Sequence, residues 1–283
     1  MTQEIKAIDG LITIPRGLGV AAQEAVSAEG SAGRGGLLEL FPGMANRQKD
    51  LTPEELVSEM DESGVEKGFL SIQRDGDKEW IQEAMKKYPG KFVAGCPVNP
   101  IQNDIMSEVR RIRGLIDEIG LQVIRVGGWR LLVPPTDNRL FPFYALAIEN
   151  DLKVHVNVGY PGPAGIARMQ DPLYVDELCY LFPELKVIQT HGGADPASME
   201  VAVHNVIKYP NCYIMTNAYR PKYFSPQFIQ HLNTRAQDKI FWATEYPLLT
   251  FKRSLDDVAQ LPLRDHVRPK YLRENILRLL RFE

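Results

Sequence analysis

Hydrophobic and polar positions follow two alternating rhythms along the chain. Short apolar runs rich in β-branched residues cover residues 5–14, 67–73, 92–98, 121–126, 153–158, 185–190, 212–216 and 240–244. Their length and composition predict strands. Amphipathic stretches between them predict helices. The first opens at Thr52-Pro53-Glu54-Glu55, where Thr52 is a cap, Pro53 fits the first turn and Glu55 completes a capping box. Leu56 and Met60 mark its buried stripe, and Gly64 stops it. Further helices are predicted over 78–88, 103–118, 141–150, 172–182, 196–208, 226–234 and 270–280.

Eight strands alternating with eight helices imply right-handed βαβ units and a parallel sheet. The expected fold is α/β, a (β/α)8 TIM barrel forming a single domain over 1–283, since roughly 250 residues is typical of that barrel. An open doubly wound sheet is the competitor, but no Gly-x-Gly-x-x-Gly follows the first strand. Residues 15–51 read as a long loop on the catalytic face. Its glycine-rich stretch, 30–36, is either a lid or a loose insertion.

Composition narrows the function. Of the 283 residues 44% are hydrophobic, enough for a full core, and the formal net charge is -3. That balance gives no electrostatic footprint for nucleic acid or an anionic membrane. No apolar run approaches the roughly 20 residues that span a bilayer. Met1-Thr2-Gln3-Glu4 leads into a strand without a basic or apolar leader, and Cys96, Cys179 and Cys212 are isolated. The expectation is a cytoplasmic protein with reduced, buried thiols.

Several segments in order resemble the amidohydrolase-2 family, which includes decarboxylases of aminocarboxymuconate semialdehyde and hydroxybenzoates, lactonases and hydratases. They are Met60-Asp61-Glu62-Ser63-Gly64-Val65, Tyr88-Pro89-Gly90-Lys91-Phe92-Val93 with Val98-Asn99-Pro100, and Phe182-Pro183-Glu184-Leu185-Lys186-Val187 leading into Thr190-His191-Gly192-Gly193. Phe241-Trp242-Ala243-Thr244-Glu245-Tyr246-Pro247 resembles the family's Gly-Thr-Asp-Tyr-Pro, and Glu274-Asn275-Ile276-Leu277-Arg278-Leu279-Leu280 its last helix. The likeness implies the barrel and a pocket at the C-terminal strand ends.

It also locates what this chain lacks. The family's first-strand Asp-x-His-x-His reads Asp9-Gly10-Leu11-Ile12-Thr13, so both His ligands are replaced, by Leu11 and Thr13. The fifth-strand His position is Asn157, with His155 one inward step deeper. The sixth-strand His is present as His191, and the eighth-strand Asp is Glu245. Zinc wants three or four His, Cys or carboxylate ligands held together. No cofactor is therefore expected, with a weakly held divalent cation on Asn157 and Asp9 oxygens as the alternative.

The remaining chemistry is that of an acid/base pair, His191 and Glu245. Arg125, which ends the fourth strand, and Arg130, beside Trp129 on the next loop, are candidates to bind a substrate carboxylate. Thr13, His155 and Asn157, with Tyr160, Asn217, Tyr219 and Tyr246 after strand ends, are further substrate-binding candidates. Arg168 and Arg220 are weaker ones, and His204, His231 and His266 read as surface residues. The leading expectation is a metal-independent hydrolase or isomerase of a small carboxylated molecule such as a lactone. A decarboxylase or hydratase is the alternative. A non-catalytic barrel paired with an active homologue is a reading of another class. The family implies a homodimer, and a heterodimer with a homologue fits the last reading.

Overall fold

The eight apolar runs are eight parallel strands: β1 (Ala7–Thr13), β2 (Val65–Ser71), β3 (Phe92–Pro97), β4 (Val123–Val126), β5 (Lys153–Asn157), β6 (Lys186–Thr190), β7 (Cys212–Thr216) and β8 (Ile240–Trp242). Each pairs with the next in chain order. The computed structural model describes residues 5–14, 50–73, 76–101, 103–160, 166–192 and 194–283, leaving aside the side chain of Trp129. Most of the expected top-face loop, including 30–36, lies outside the described residues.

The sheet curls into a (β/α)8 barrel in one domain. An Ile12–Tyr246 bridge brings its two edges together, and the Thr13 N–H donates to the Tyr246 carbonyl at 2.8 Å. One device in β1 makes this seam fit. Asp9 pairs with Gly68 and Ile12 with Leu70, so β1 spends three steps where β2 spends two. That is a β-bulge, and it holds Gly10. A Cβ on Gly10 would meet Met215 Sδ and Phe241 Cε2 at 2.9 Å, so no larger side chain fits inside the barrel there.

Alternating strand positions feed two cores. Ile8, Leu11, Phe69, Val93, Val123, Ile188, Met215 and Phe241 fill the barrel, and Ile276, Leu279 and Leu280 of the C-terminal segment close its N-terminal end. Outward residues such as Leu70, Ile124, Val154 and Ile240 pack under the helices. The burial of Leu11 decides part of the chemistry: it is a packing residue with no exposed surface.

Among the described residues the helices are α1 (Pro53–Glu62), α2 (Asp77–Lys87), α3 (Ile105–Ile119), α4 (Gly128–Leu131), α5 (Phe141–Glu149), α6 (Leu173–Leu181), α7 (Pro196–Lys208), α8 (Pro226–Leu232) and α9 (Phe251–Ala259). The helical run over 267–277 contains a π turn at Lys270–Glu274. The capping box at Thr52 and Glu55 is formed as expected. Helix α9 has no counterpart in the sequence-based expectation. Its buried residues are Phe251, Ser254, Asp257 and Val258; Phe251, Leu255 and Val258 recur at helical spacing, so the signal was present in the sequence. Ser254 is buried because Trp242 Nε1 donates to it at 2.9 Å. Asp257 is buried because Arg220 grips both its oxygens, at 2.6 and 2.8 Å.

Candidate active site

Inward positions at the C-terminal strand ends bring together Ser71, Arg125, His155, Asn157, His191, Asn217 and Glu245. Glu245 Oε1 lies 3.9 Å from Arg125 Nη2. Its Oε2 accepts a hydrogen bond from Asn217 Nδ2 at 2.6 Å and lies 3.8 Å from His191 Nδ1. The same Asn217 amide nitrogen is 3.1 Å from His191 Nδ1, and Asn217 Oδ1 accepts from the His191 backbone N–H at 2.6 Å. On the other side of the ring, His191 Nε2 is 3.0 Å from the Asn157 amide. Arg125 Nη1 donates to Ser71 Oγ at 2.9 Å, which also receives Gln73 Nε2 at 3.0 Å. The side chains of His191 and Glu245 are each 16% exposed, so the constellation is reachable from solvent.

Local backbone geometry places these groups. His191, Ala218 and Glu245 have φ of 64°, 67° and 56°, the left-handed region, at three consecutive strand ends. Such a conformation costs an L-residue roughly 1–2 kcal/mol, and strain of this kind clusters at working sites. Each turn aims a polar side chain or its neighbour back over the barrel mouth. Gly192 makes the first one feasible, because a Cβ there would sit 2.3 Å from Ile214 Cγ2.

The electrostatics follow from burial. Desolvation holds the His191 pKa below the usual imidazole value, with Glu245 pulling the other way and Arg125 adding to the depression. His155 is depressed well below that value by burial, then by Arg125 and His191. Burial also lowers the Arg125 pKa, opposed by Glu245 and reinforced by Arg130. Arginine stays cationic regardless, so the site has a fixed positive charge beside the Glu245 carboxylate.

Several expected residues stand elsewhere. Tyr246 is fully buried and turned away from the mouth: it stacks on Phe251 at 4.4 Å, and its hydroxyl donates to Glu59 at 2.9 Å. Its apolar ring wins a place under α9. Tyr160 projects into solvent at 63% exposure; its carbonyl accepts the Tyr219 hydroxyl at 3.3 Å. Tyr219 itself flanks His191 edge-on, centroids 6.3 Å apart. His155 is 1% exposed and lies edge-on to Phe69 at 5.1 Å, so it forms the floor beneath the reacting groups. Thr13 is half-buried at the seam, and Arg130 is exposed on α4. Trp129 shares that turn, with its side chain outside the described residues. Arg168 is exposed, and Arg220 is committed to Asp257. His204 and His266 are surface residues, whereas His231 is mostly buried, 3.5 Å from Glu200. It faces α7 from α8, and helix packing covers it.

Ser71 is the residue the sequence reading missed. The signal was present: Ser71 is a lone polar residue in the apolar run Phe69-Leu70-Ser71-Ile72, at the end of β2, where barrel enzymes place functional groups.

The chain belongs to the amidohydrolase family, whose model matches residues 28–282. Among solved structures it is similar to an uncharacterized TIM-barrel protein of Bordetella bronchiseptica, at 22% identity over 96% of this chain and 97% of the other, TM-score 0.75. It is also similar to a probable 2-pyrone-4,6-dicarboxylic acid hydrolase of Acinetobacter baumannii with citric acid bound, at 15% identity over 97% and 98%, TM-score 0.60. A third is a dihydroxybenzoic acid decarboxylase of a Polaromonas species with manganese and 2-nitroresorcinol bound, at 16% identity over 96% and 95%, TM-score 0.66. At such identities the shared property is the barrel. A search of curated proteins finds no match.

The donor set at this site does not suit a divalent metal. Among the described residues no three His, Cys, Asp or Glu side chains gather to hold an ion. Leu11 is core, and both ring nitrogens of His191 face asparagine amides. Asp9 spends its oxygens on Thr244 and the Leu11 N–H. The Arg125 guanidinium already supplies positive charge next to Glu245.

Proposed function

We propose that this protein is a hydrolase or isomerase that acts without a metal on a small carboxylated substrate such as a lactone. The observation that carries the reading is the convergence of Glu245, His191 and Arg125 within 4 Å contacts at the barrel mouth. In lactone hydrolysis, Glu245 takes a proton from water as the water oxygen bonds to the ring carbonyl carbon. Negative charge gathers on the carbonyl oxygen, where an imidazole N–H stabilises it. The tetrahedral centre then collapses, the ring C–O bond breaks, and Glu245 returns its proton to the leaving oxygen. Arg125 binds a substrate carboxylate in competition with Glu245; the 3.9 Å separation of that pair is longer than a hydrogen bond and easily exchanged.

Fold neighbours act on carboxylated molecules, and one of them was crystallised with citric acid bound. Decarboxylation of a phenolic acid normally leans on a metal to orient substrate and hold charge. The donors here favour hydrolysis for that reason. The test is a panel of carboxylated lactones, 2-pyrone carboxylates and hydroxybenzoates, assayed after exhaustive chelation with Glu245→Gln as control. Turnover of a lactone by chelated wild type, lost in the variant, supports the reading. Turnover confined to hydroxybenzoates and dependent on added manganese overturns it.

A further inference from the structure

The hydrogen bonds around His191 leave one arrangement of protons. Asn217 is fixed at both ends of its amide: Oδ1 accepts from the His191 backbone N–H at 2.6 Å, and Nδ2 donates to Glu245 Oε2 at 2.6 Å. Turned over, the amide would set an NH2 against an N–H and an oxygen against a carboxylate. Its orientation is therefore determined by the network rather than chosen. The second hydrogen on Nδ2 faces His191 Nδ1 at 3.1 Å, and Nδ1 must accept it. Burial keeps the ring neutral, and a neutral imidazole carries one N–H. That proton sits on Nε2, 3.0 Å from Asn157 Nδ2. Asn157 meets it with Oδ1 after a half-turn of its amide, which no other hydrogen bond of that side chain among the described residues opposes.

We infer that Asn217 is a positioning residue that holds His191 as the Nε2–H tautomer, so that the ring offers the barrel mouth a hydrogen-bond donor and no lone pair. The inference rests on the proposed function for its importance, and it divides the labour there. Glu245 is the base, and His191 is the donor to developing negative charge. The Asn217 amide nitrogen stands between Oε2 and Nδ1, which are 3.8 Å apart, so the two do not exchange a proton directly. Asn157 is the acceptor that a substrate oxygen displaces or replaces.

The experiment is ring 15N NMR of histidine-labelled protein near pH 7.5, with the His191 signals identified by their loss in His191→Gln. The expected wild-type spectrum shows His191 Nδ1 unprotonated and Nε2 bearing hydrogen. Asn217→Asp puts an acceptor where the amide N–H was and is expected to move the proton to Nδ1. Asn157→Ala is expected to leave the tautomer unchanged. A wild-type ring protonated on Nδ1, or a tautomer that switches in Asn157→Ala and not in Asn217→Asp, overturns the inference. The wild-type spectrum decides it alone if Asn217→Asp does not fold. An Nε2–H spectrum in a protein inactive on every substrate sustains this inference while the proposed function falls.

Discussion

Asp9 and Thr244, 235 residues apart, clasp the barrel shut: one carboxyl oxygen of Asp9 accepts the Thr244 N–H at 3.0 Å and the other accepts its hydroxyl. The Leu11 N–H adds a third donor at 2.9 Å. Burial outweighs these three donors and lifts the Asp9 pKa from 3.8 to about 7. The seam thus holds a carboxyl that resists ionisation.

A raised folded pKa means that the native state binds the proton more tightly than the unfolded chain. The contribution is fully present below the unfolded value near 3.8 and is lost as pH climbs through about 7. Urea unfolding of wild type and Asp9→Asn between pH 4 and 8 should show wild type losing on the order of a few kcal/mol relative to the variant as pH rises. Parallel curves would show that Asp9 ionises freely in the barrel. Asp9→Ala, which strips three donors of their acceptor, should cost about 2–4 kcal/mol near pH 4, a difference that shrinks as the wild type loses stability with rising pH.

His155 works with the opposite sign. Its folded pKa is depressed, so its stability contribution is present above the unfolded value near 6.5 and is lost as pH falls below it. His155→Phe keeps an aromatic ring against Phe69 and removes the group that must stay neutral. The variant should gain on wild type below pH 6 by about 1 kcal/mol per pH unit. A constant difference between the two proteins from pH 7 to pH 5 would contradict the assignment.

The alternating pattern exposed the barrel because both rhythms are set by local burial: Val154 and Val156 pack outward under helices while Lys153, His155 and Asn157 point in. His191 and Glu245 were legible because Thr190-His191-Gly192-Gly193 and Ala243-Thr244-Glu245-Tyr246-Pro247 match the family's sixth- and eighth-strand segments. Three things were missed. The outward turn of Tyr246 depends on Phe251 and Glu59, distant partners that no local pattern announces. Helix α9 carries an apolar repeat of only three residues, Phe251, Leu255 and Val258, interleaved with the buried polar Ser254 and Asp257 that Trp242 and Arg220 hold. Asp9 looked like a spare oxygen ligand until Thr244 arrived from the far end of the chain to occupy it.

Glu245→Gln should separate chemistry from stability. Glutamine keeps an oxygen for Asn217 Nδ2 to donate to at the Oε2 position, and the side chain is near the surface of the mouth. Turnover should fall by about 10²–10⁴, the usual worth of a general base, while the midpoint of thermal unfolding moves by no more than about 2 °C. Unchanged turnover would place the base on another residue.

Arg220 tests how the mouth is braced. Its guanidinium holds Asp257, whose side chain is 5% exposed, and so ties the segment after β7 to α9. Arg220→Met keeps the stem and leaves that carboxylate without its cation, at a cost of about 1–3 kcal/mol. Asp257→Asn combined with Arg220→Met should recover part of the loss, because the second change removes the stranded charge. Additive losses would mean that the pair contributes packing alone.

Metal content is the remaining test, and the chain's own residues set the expectation. Restoring the two first-strand ligands by Leu11→His and Thr13→His would push one imidazole into the cluster of Ile8, Phe69, Met215 and Phe241. Burying that ring without a hydrogen-bond partner costs about 1–3 kcal/mol, and Arg125 would still place a positive charge beside Glu245. Wild-type protein purified without chelator should therefore carry well under one equivalent of zinc, manganese or iron by elemental analysis. Saturating manganese should not raise its unfolding temperature, since an ion that binds only the native state stabilises it in proportion to the logarithm of its concentration over Kd. The double variant should be less stable than wild type and gain little from manganese. Stoichiometric metal in the wild type, or a concentration-dependent thermal shift with manganese, would mean that Arg125 swings aside and that the asparagines at His191 yield to a cation.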